Sequence, residues 1–283
     1  MIFDNGILRA EIVPQWHEST RFDRLFAVTS LVDLERGVEW MAHESLIPNV
    51  GSGGVGICGE FGISEPVGYD DASPGEPFLK PCVGWLARDG RPYRFMHPYP
   101  ILDRGGATYE WGENRVTGVW EAPALRGYGC RVARSISLSG DALTFVYEMR
   151  NTGEKPISTT EYAHNFALCG GRALSEAYRL TTGSKADDPN SPWIRYGTYP
   201  SYARVDSPDS LEIRGWRMVL APEGYAMEER DDFRAVRFAV WAQAHVFSPE
   251  IFKGIELMPG ESDRWTRAYR FGDVASLDRG SAG

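Results

Sequence analysis

Cysteine is scarce in this chain. Four occur in 283 residues, Cys58, Cys82, Cys130 and Cys169, and no pair has CxxC spacing. Free, partly buried thiols in a reducing cytoplasm are expected. Long apolar runs are missing as well. Nothing approaches the roughly 20 residues that a membrane helix needs. The N-terminal stretch 1–14 carries Asp4 and Glu11 where an export signal would have a basic patch and then an apolar run, so no signal is read. Positive charge is in deficit: 30 Lys and Arg stand against 39 Asp and Glu, a net −9. Nucleic acid and anionic lipid are therefore disfavoured as partners, because both require a basic surface.

Several catalytic motifs are absent or misplaced. No GxSxG is present, which removes the nucleophile-elbow hydrolases. The stretch 51–56 reads GxGxxG, but Pro48 precedes it and a poor helix follows. A dinucleotide site needs a strand before and a helix after, so a tightly turning loop is the better reading. Glu161 and His164 have ExxH spacing. That motif works on a helix, and the surroundings here read as a strand, where residues three apart point to opposite faces. There is no second ExxH, no HExxH and no Cys/His cluster, so no metal is expected. His17 and His43 lack convergent partners and read as surface or structural. No repeat of 20–50 residues is seen.

What is abundant is punctuation. Gly (31) and Pro (18) are spread along the chain and leave few long windows for helices. Short β-rich runs recur instead, over 7–13, 115–120, 131–138, 143–150, 211–220, 236–241, 252–258 and 265–271. Turn signals such as Ser139-Gly140-Asp141 and Pro259-Gly260-Glu261 separate them. Many short strands between turns indicate an all-β sandwich or barrel. The best hairpin spans 131–150. No linker stands out, so a single domain over 1–271 is expected, followed by a small, polar, flexible tail over 272–283. Two stretches, 50–84 and 182–208, show little periodicity and read as long loops, the first of them functional.

Three segments belong together. One runs from Glu60 to Tyr69 and on through Phe78-Leu-Lys80 to Leu86. The second is an Asn-Thr-Gly-Glu-Lys-Pro turn (151–156) that leads to Ala163-His164-Asn165-Phe166. The third holds Trp241, Ser248-Pro-Glu250, Glu256 and a closing Met-Pro-Gly-Glu hairpin before the Tyr-Arg-Phe of 269–271. This order resembles the galactose mutarotase-like superfamily, which includes aldose 1-epimerases and hexose-6-phosphate mutarotases. The resemblance implies a large antiparallel β-supersandwich with few short helices, and it implies that His164 is the general acid. The matching catalytic carboxylate is Glu250, with Glu256 as the alternative. Lys80 stands where aldose epimerases carry a second His, which puts galactose and glucose in doubt as the substrate.

Mutarotation requires two proton transfers. A base takes the anomeric hydroxyl proton and an acid protonates the ring oxygen. The ring opens, the aldehyde turns, and the steps reverse. A carboxylate and an imidazole suit this near neutral pH without cofactor, metal or covalent intermediate. A sugar also needs apolar faces and planar hydrogen-bonding groups. Tyr69, Trp85, Tyr162 and Trp241 lie in or beside the matching segments, with core packing as the alternative for each. Tyr162 shares a strand face with His164. Lys80, His97, Glu60 and Tyr69 are further candidate contacts to substrate, and Lys80 would suit an anionic substituent. The expected partner is a small sugar, on a cytoplasmic monomer or homodimer. Two other readings stay open: a carbohydrate-binding protein without turnover, and a polysaccharide lyase relative, which would need a basic groove. Fold does not choose among them.

Overall fold

Alternation sets the geometry of the central hairpin. Along Cys130–Ser139, residues 130, 132, 134, 136 and 138 are buried, and 131, 133, 135 and 137 are half-buried. Ala142–Asn151 repeats the pattern, and Ser139 pairs with Ala142 across Gly140 and Asp141. Gly140 sits at φ 57°, which a tight two-residue connection requires and glycine adopts freely. The hairpin read from the sequence over 131–150 is present with that register.

The computed structural model describes residues 1–47, 50–206 and 212–279. Among them, two large antiparallel sheets face each other. One sheet has the order Ile2–Asp4, Leu8–Val13, Ala27–Asp33, Ile57–Phe61, Ile157–Asn165, Val246–Leu257, Ala235–Gln243 and Ser201–Asp206. The short strand Val38–Glu39 pairs with Ala27–Asp33 beside this path. The second sheet runs Tyr178–Thr181, Gly215–Leu220, Tyr225–Asp231, Ser262–Asp273, Ala142–Asn151, Cys130–Ser139, Arg115–Glu121 and Gly106–Trp111. A third, three-stranded sheet (Pro77–Lys80, Gly84–Ala87, Ile101–Asp103) flanks them. Among the described residues, helix is confined to a 3-10 turn at Cys169–Gly171 and the short helix Val274–Arg279.

The core lies between the large sheets. Trp265 and Tyr147 are direct cross-strand partners, stacked at 5.1 Å and 8°. Such a pair adds about 0.5–1.5 kcal/mol beyond its area burial. Trp85 is fully buried, with its indole N–H donating to Pro123 O at 3.0 Å, so it is a core residue. All four cysteines are buried and free. No described helix is long and apolar enough to cross a membrane.

Three expectations need correction. The stretch 182–208 is not loop throughout, because Ser201–Asp206 is the edge strand of the first sheet. The stretch 50–84 is not one long loop, because Ile57–Phe61 is a central strand of the first sheet and Pro77–Lys80 begins the third. Every residue of Ile57–Phe61 is buried. A strand covered on both faces shows no alternation, and its Gly and charged residues disguise it further. The expected tail also begins too early. Residues 272–273 complete the last strand, and the helix after it buries Leu277 completely. Residues 280–283 lie outside the described residues.

Candidate active site

Three neighbouring strands of the first sheet bring the site together. The strand Ile157–Asn165 pairs with Ile57–Phe61 on one side and Val246–Leu257 on the other. Tyr162 lies directly opposite Glu60 and Phe252. Residues directly opposite share a face, so Glu60, Tyr162, His164 and Glu250 project from the same side of the sheet. Gly59 points the other way. A Cβ there would meet the Asp23 carboxylate at 2.4 Å, so only glycine lets this strand pass the buried Asp23–Arg134 pair.

His164 is held between two carboxylates. Its Nε2 lies 3.1 Å from Glu60 Oε2, and its Nδ1 lies 3.0 Å from Glu250 Oε1. The two contacts differ in quality. The first is an aligned hydrogen bond, whereas Nδ1 makes none despite the short distance. Glu60 itself is saturated. Its Oε2 accepts from Tyr162 OH at 2.7 Å and from Arg21 Nε at 3.1 Å, and its Oε1 accepts from Lys80 Nζ at 2.9 Å. Arg21 also reaches Glu44 at 3.4 Å and the Ser52 hydroxyl. Counting His164 as a cation, three positive groups (Arg21, Lys80, His164) match three carboxylates (Glu44, Glu60, Glu250).

The charges set protonation. Burial pushes Glu60 up, but Lys80, the His164 hydrogen bond and Arg21 together hold it well below the usual carboxylate range. Burial lowers Lys80, and the Glu60 charge opposes that only in part. Burial alone would lower His164; the Glu250 charge beside Nδ1 and the Glu60 hydrogen bond at Nε2 reverse the sign, and it ends raised. Glu60 thus stays ionised and fixes a proton on Nε2. The other ring nitrogen, Nδ1, is left facing Glu250. Ser248 stands two residues before Glu250 on the same face, donates to Glu250 Oε1 at 3.1 Å, and accepts from the Asn165 backbone N–H at 3.0 Å.

Aromatic rings wall the site. Phe22 meets the His164 ring edge-on at 5.0 Å, and Phe166 stacks on it at 5.2 Å. Trp241 packs edge-on against Phe166 at 5.9 Å. The loop 51–56 lies over Phe166. A Cβ on Gly54 would sit 2.2 Å from that ring, and this close approach accounts for its glycine. A strand follows the loop, in agreement with the rejection of a dinucleotide fingerprint.

The sequence candidates divide clearly. His164, Glu250, Glu60, Tyr162 and Lys80 converge, and Trp241 stands beside them. Glu60, Tyr162 and Lys80 are fully buried, however, and bond to one another. They fix His164 and do not present hydrogen-bonding groups to a ligand, so the expected Lys80 contact to an anionic substituent is replaced by an internal pair. Glu256 does not converge: it is exposed and accepts from Ser158 Oγ at 2.5 Å. Tyr69 is buried against Phe78, Tyr93 and Tyr99 under the third sheet, and its hydroxyl donates to Arg91 O at 2.8 Å. His97 lies 3.8 Å from Asp89 and lines a cavity of about 480 Å³ that Arg21 and Ser52 border from the site's side. His43 is exposed, while His17 is half-buried between Trp16 and Phe22. No sequence motif points to Arg21, Phe22 or Ser248. For Ser248 a signal existed: a hydroxyl two residues from Glu250 in a strand shares its face.

No family model and no curated relative matches the chain. Solved structures do. The Slr1438 protein from Synechocystis sp. PCC 6803 superposes with a TM-score of 0.63 at 11% identity, over 96% of this chain and 95% of that one. A galactose mutarotase-like protein from Lactobacillus casei gives 0.62 at 13% identity, over 96% and 99%. A galactose mutarotase related enzyme from Lactobacillus acidophilus gives 0.59 at 8% identity, over 96% and 97%. The chain has the galactose mutarotase-like fold. At these identities the likeness is one of architecture, and it agrees with the supersandwich implied by the sequence.

Proposed function

We propose that this chain is a carbohydrate-active enzyme of the mutarotase type, interconverting the anomers of a free sugar. The observation that carries the reading is the asymmetric clamp on His164, with Nε2 locked by an ionised Glu60 and Nδ1 left unaligned 3.0 Å from Glu250. The Glu250 carboxylate takes the proton of the anomeric hydroxyl. The Nδ1–H of His164 turns to the ring oxygen and protonates it as the C1–O5 bond breaks. The open-chain aldehyde rotates about C1–C2. Reversal returns both protons, so each group ends in its starting state. Ser248 holds one Glu250 oxygen in place, and the aromatic wall supplies an apolar face for sugar C–H bonds.

A second reading is sugar binding without turnover. It is favoured by closure: His164 is 1% and Glu250 7% exposed, so a sugar reaches them only if side chains shift. Anomeric exchange followed by NMR saturation transfer separates the two. The panel is free aldoses, uronates, deoxy sugars and sugar phosphates, each with and without protein. Acceleration for one class supports turnover. Line broadening without acceleration supports binding alone. Neither effect on any sugar overturns both.

A further inference from the structure

The chain has 9 Trp, 13 Tyr and 13 Phe. Of all these rings only Tyr202 is exposed, at 57%. Its position links it to the site. Tyr202 lies directly opposite Trp241, and Trp241 directly opposite Ser248, whose hydroxyl holds Glu250. Directly opposite residues share a face, so Tyr202 stands on the same side of the sheet as the His164–Glu250 pair. It is two strands from Glu250, about 10 Å at the usual strand spacing.

The neighbouring rows complete a surface. Arg204 lies opposite Ala239, and Ala239 opposite Glu250. Ala239 between them is fully buried, packed with Tyr162 and Phe252. In the next row Arg237 lies opposite Asp206. Asp206 accepts from Arg204 Nε at 2.7 Å and from Arg237 Nε at 2.6 Å. Planar hydrogen-bonding groups, themselves fixed by an ion pair, thus border an aromatic pair. That is the chemistry that recognises a pyranose: ring C–H bonds against an apolar ring, and hydroxyls against planar polar groups. Ser201–Asp206 is also the edge strand of its sheet, the end toward which a longer sugar chain would extend.

We infer that Trp241, Tyr202 and the Arg204–Asp206–Arg237 network form a second sugar subsite. It holds the ring attached to the one at His164–Glu250, so the substrate class is a reducing disaccharide or longer oligosaccharide. This rests on the mutarotase reading for the first ring.

The test compares maltose, cellobiose and lactose with glucose and galactose. Wild-type protein is expected to show a KM for anomeric exchange at least tenfold lower for one of the disaccharides than for its monosaccharides. Tyr202→Ala is expected to erase that advantage and leave the monosaccharide values unchanged, and Tyr202→Phe to retain it. Equal KM values in the wild type, or an equal Tyr202→Ala effect on both classes, overturns the subsite. A second arm titrates methyl glycosides of the same disaccharides, which cannot open, by calorimetry. If turnover is absent yet Tyr202→Ala weakens glycoside binding tenfold, the subsite stands and the mutarotase reading falls. If wild-type protein binds no disaccharide or glycoside, the subsite is overturned.

Discussion

The two faces of the strand Ile157–Asn165 handle buried charge in opposite ways. Tyr162 and His164 look toward the candidate site, where three cations meet three carboxylates. Glu161 and Asn165 look into the sandwich. There a single guanidinium, Arg267, meets Glu161 at 2.8 Å, Glu229 at 2.9 Å and Asp231 at 3.3 Å, all buried. Burial raises Glu161 against the pull of Arg267, and burial together with Glu229 raises Asp231 well above the carboxylate range. In the interior cluster the excess of negative charge favours the neutral form of Glu161 and Asp231. The site cluster is balanced, and its charges lower Glu60 and raise His164, each toward its charged form. Balance favours a charged imidazole beside a carboxylate, whereas an excess of one sign favours neutral carboxyls. Asn165 joins the two, donating to Glu229 at 2.9 Å and to Pro249 O at 2.6 Å beside the Glu250 strand.

The largest expected effect breaks the site and spares the interior. His164→Gln and Glu250→Gln should each slow anomeric exchange by about 10²–10⁴-fold, the usual range for losing a general acid or base, while the far-UV spectrum keeps its β signature. Glu256→Gln is the control and should change the rate less than about twofold, as an exposed group does; loss in this variant instead of Glu250→Gln would reassign the base. The converse substitution breaks the interior. Arg267→Met strands three carboxylates and should lower stability by about 3–5 kcal/mol in urea unfolding. Asp231→Asn should be far milder, because burial and the neighbouring Glu229 favour the neutral form of that carboxyl. Similar losses in the two would contradict the protonated cluster.

Smaller effects sharpen the contrast. Ser248→Ala removes one hydrogen bond to Glu250, worth about 1 kcal/mol, and should lower kcat roughly fivefold with KM unchanged; a KM effect alone would make Ser248 a substrate contact. The pH dependence of stability gives the smallest effect, with opposite signs at its two ends. His164 is raised on folding, so its contribution is complete below about pH 6.5 and fades as pH climbs through the folded value. Glu60 is lowered, so its contribution is present above about pH 4.3 and fades as acid approaches the folded value. Urea unfolding of wild type and Glu60→Gln should therefore converge in acid. A gap that stays constant down to pH 3 would show that Glu60 is not held ionised.

Sequence reading reached the architecture wherever period two was visible. The hairpin of Cys130–Ser139 and Ala142–Asn151 was legible because one face is buried and the other is not. Ile57–Phe61 was illegible because both its faces are covered, and with it went the contact of Glu60 to His164. A carboxylate in a supposed loop reads as a hydroxyl contact; the same carboxylate in a buried strand orients an imidazole. Lys80 was misread for the same reason, since only the fold shows it sealed against Glu60. His164 and Glu250 were found through resemblance, and Tyr162 through strand parity. Arg134 could have been found: it occupies an inward position in a strand that otherwise alternates cleanly, and an inward Arg needs a buried acid, here Asp23 at 2.6 Å. Arg21 and Phe22 come from an irregular segment with no period to reveal its direction.

The central claim is that Glu60 locks one nitrogen of His164 and leaves the other to share its proton with Glu250. The most direct test is a ¹⁵N NMR titration of the imidazoles, which is tractable because the chain has five histidines and His164→Gln assigns the signal. The account predicts that His164 remains doubly protonated above the ordinary imidazole range, then loses the Nδ1 proton while Nε2–H persists. Deprotonation below pH 6.5, or loss of the Nε2 proton first, would contradict it.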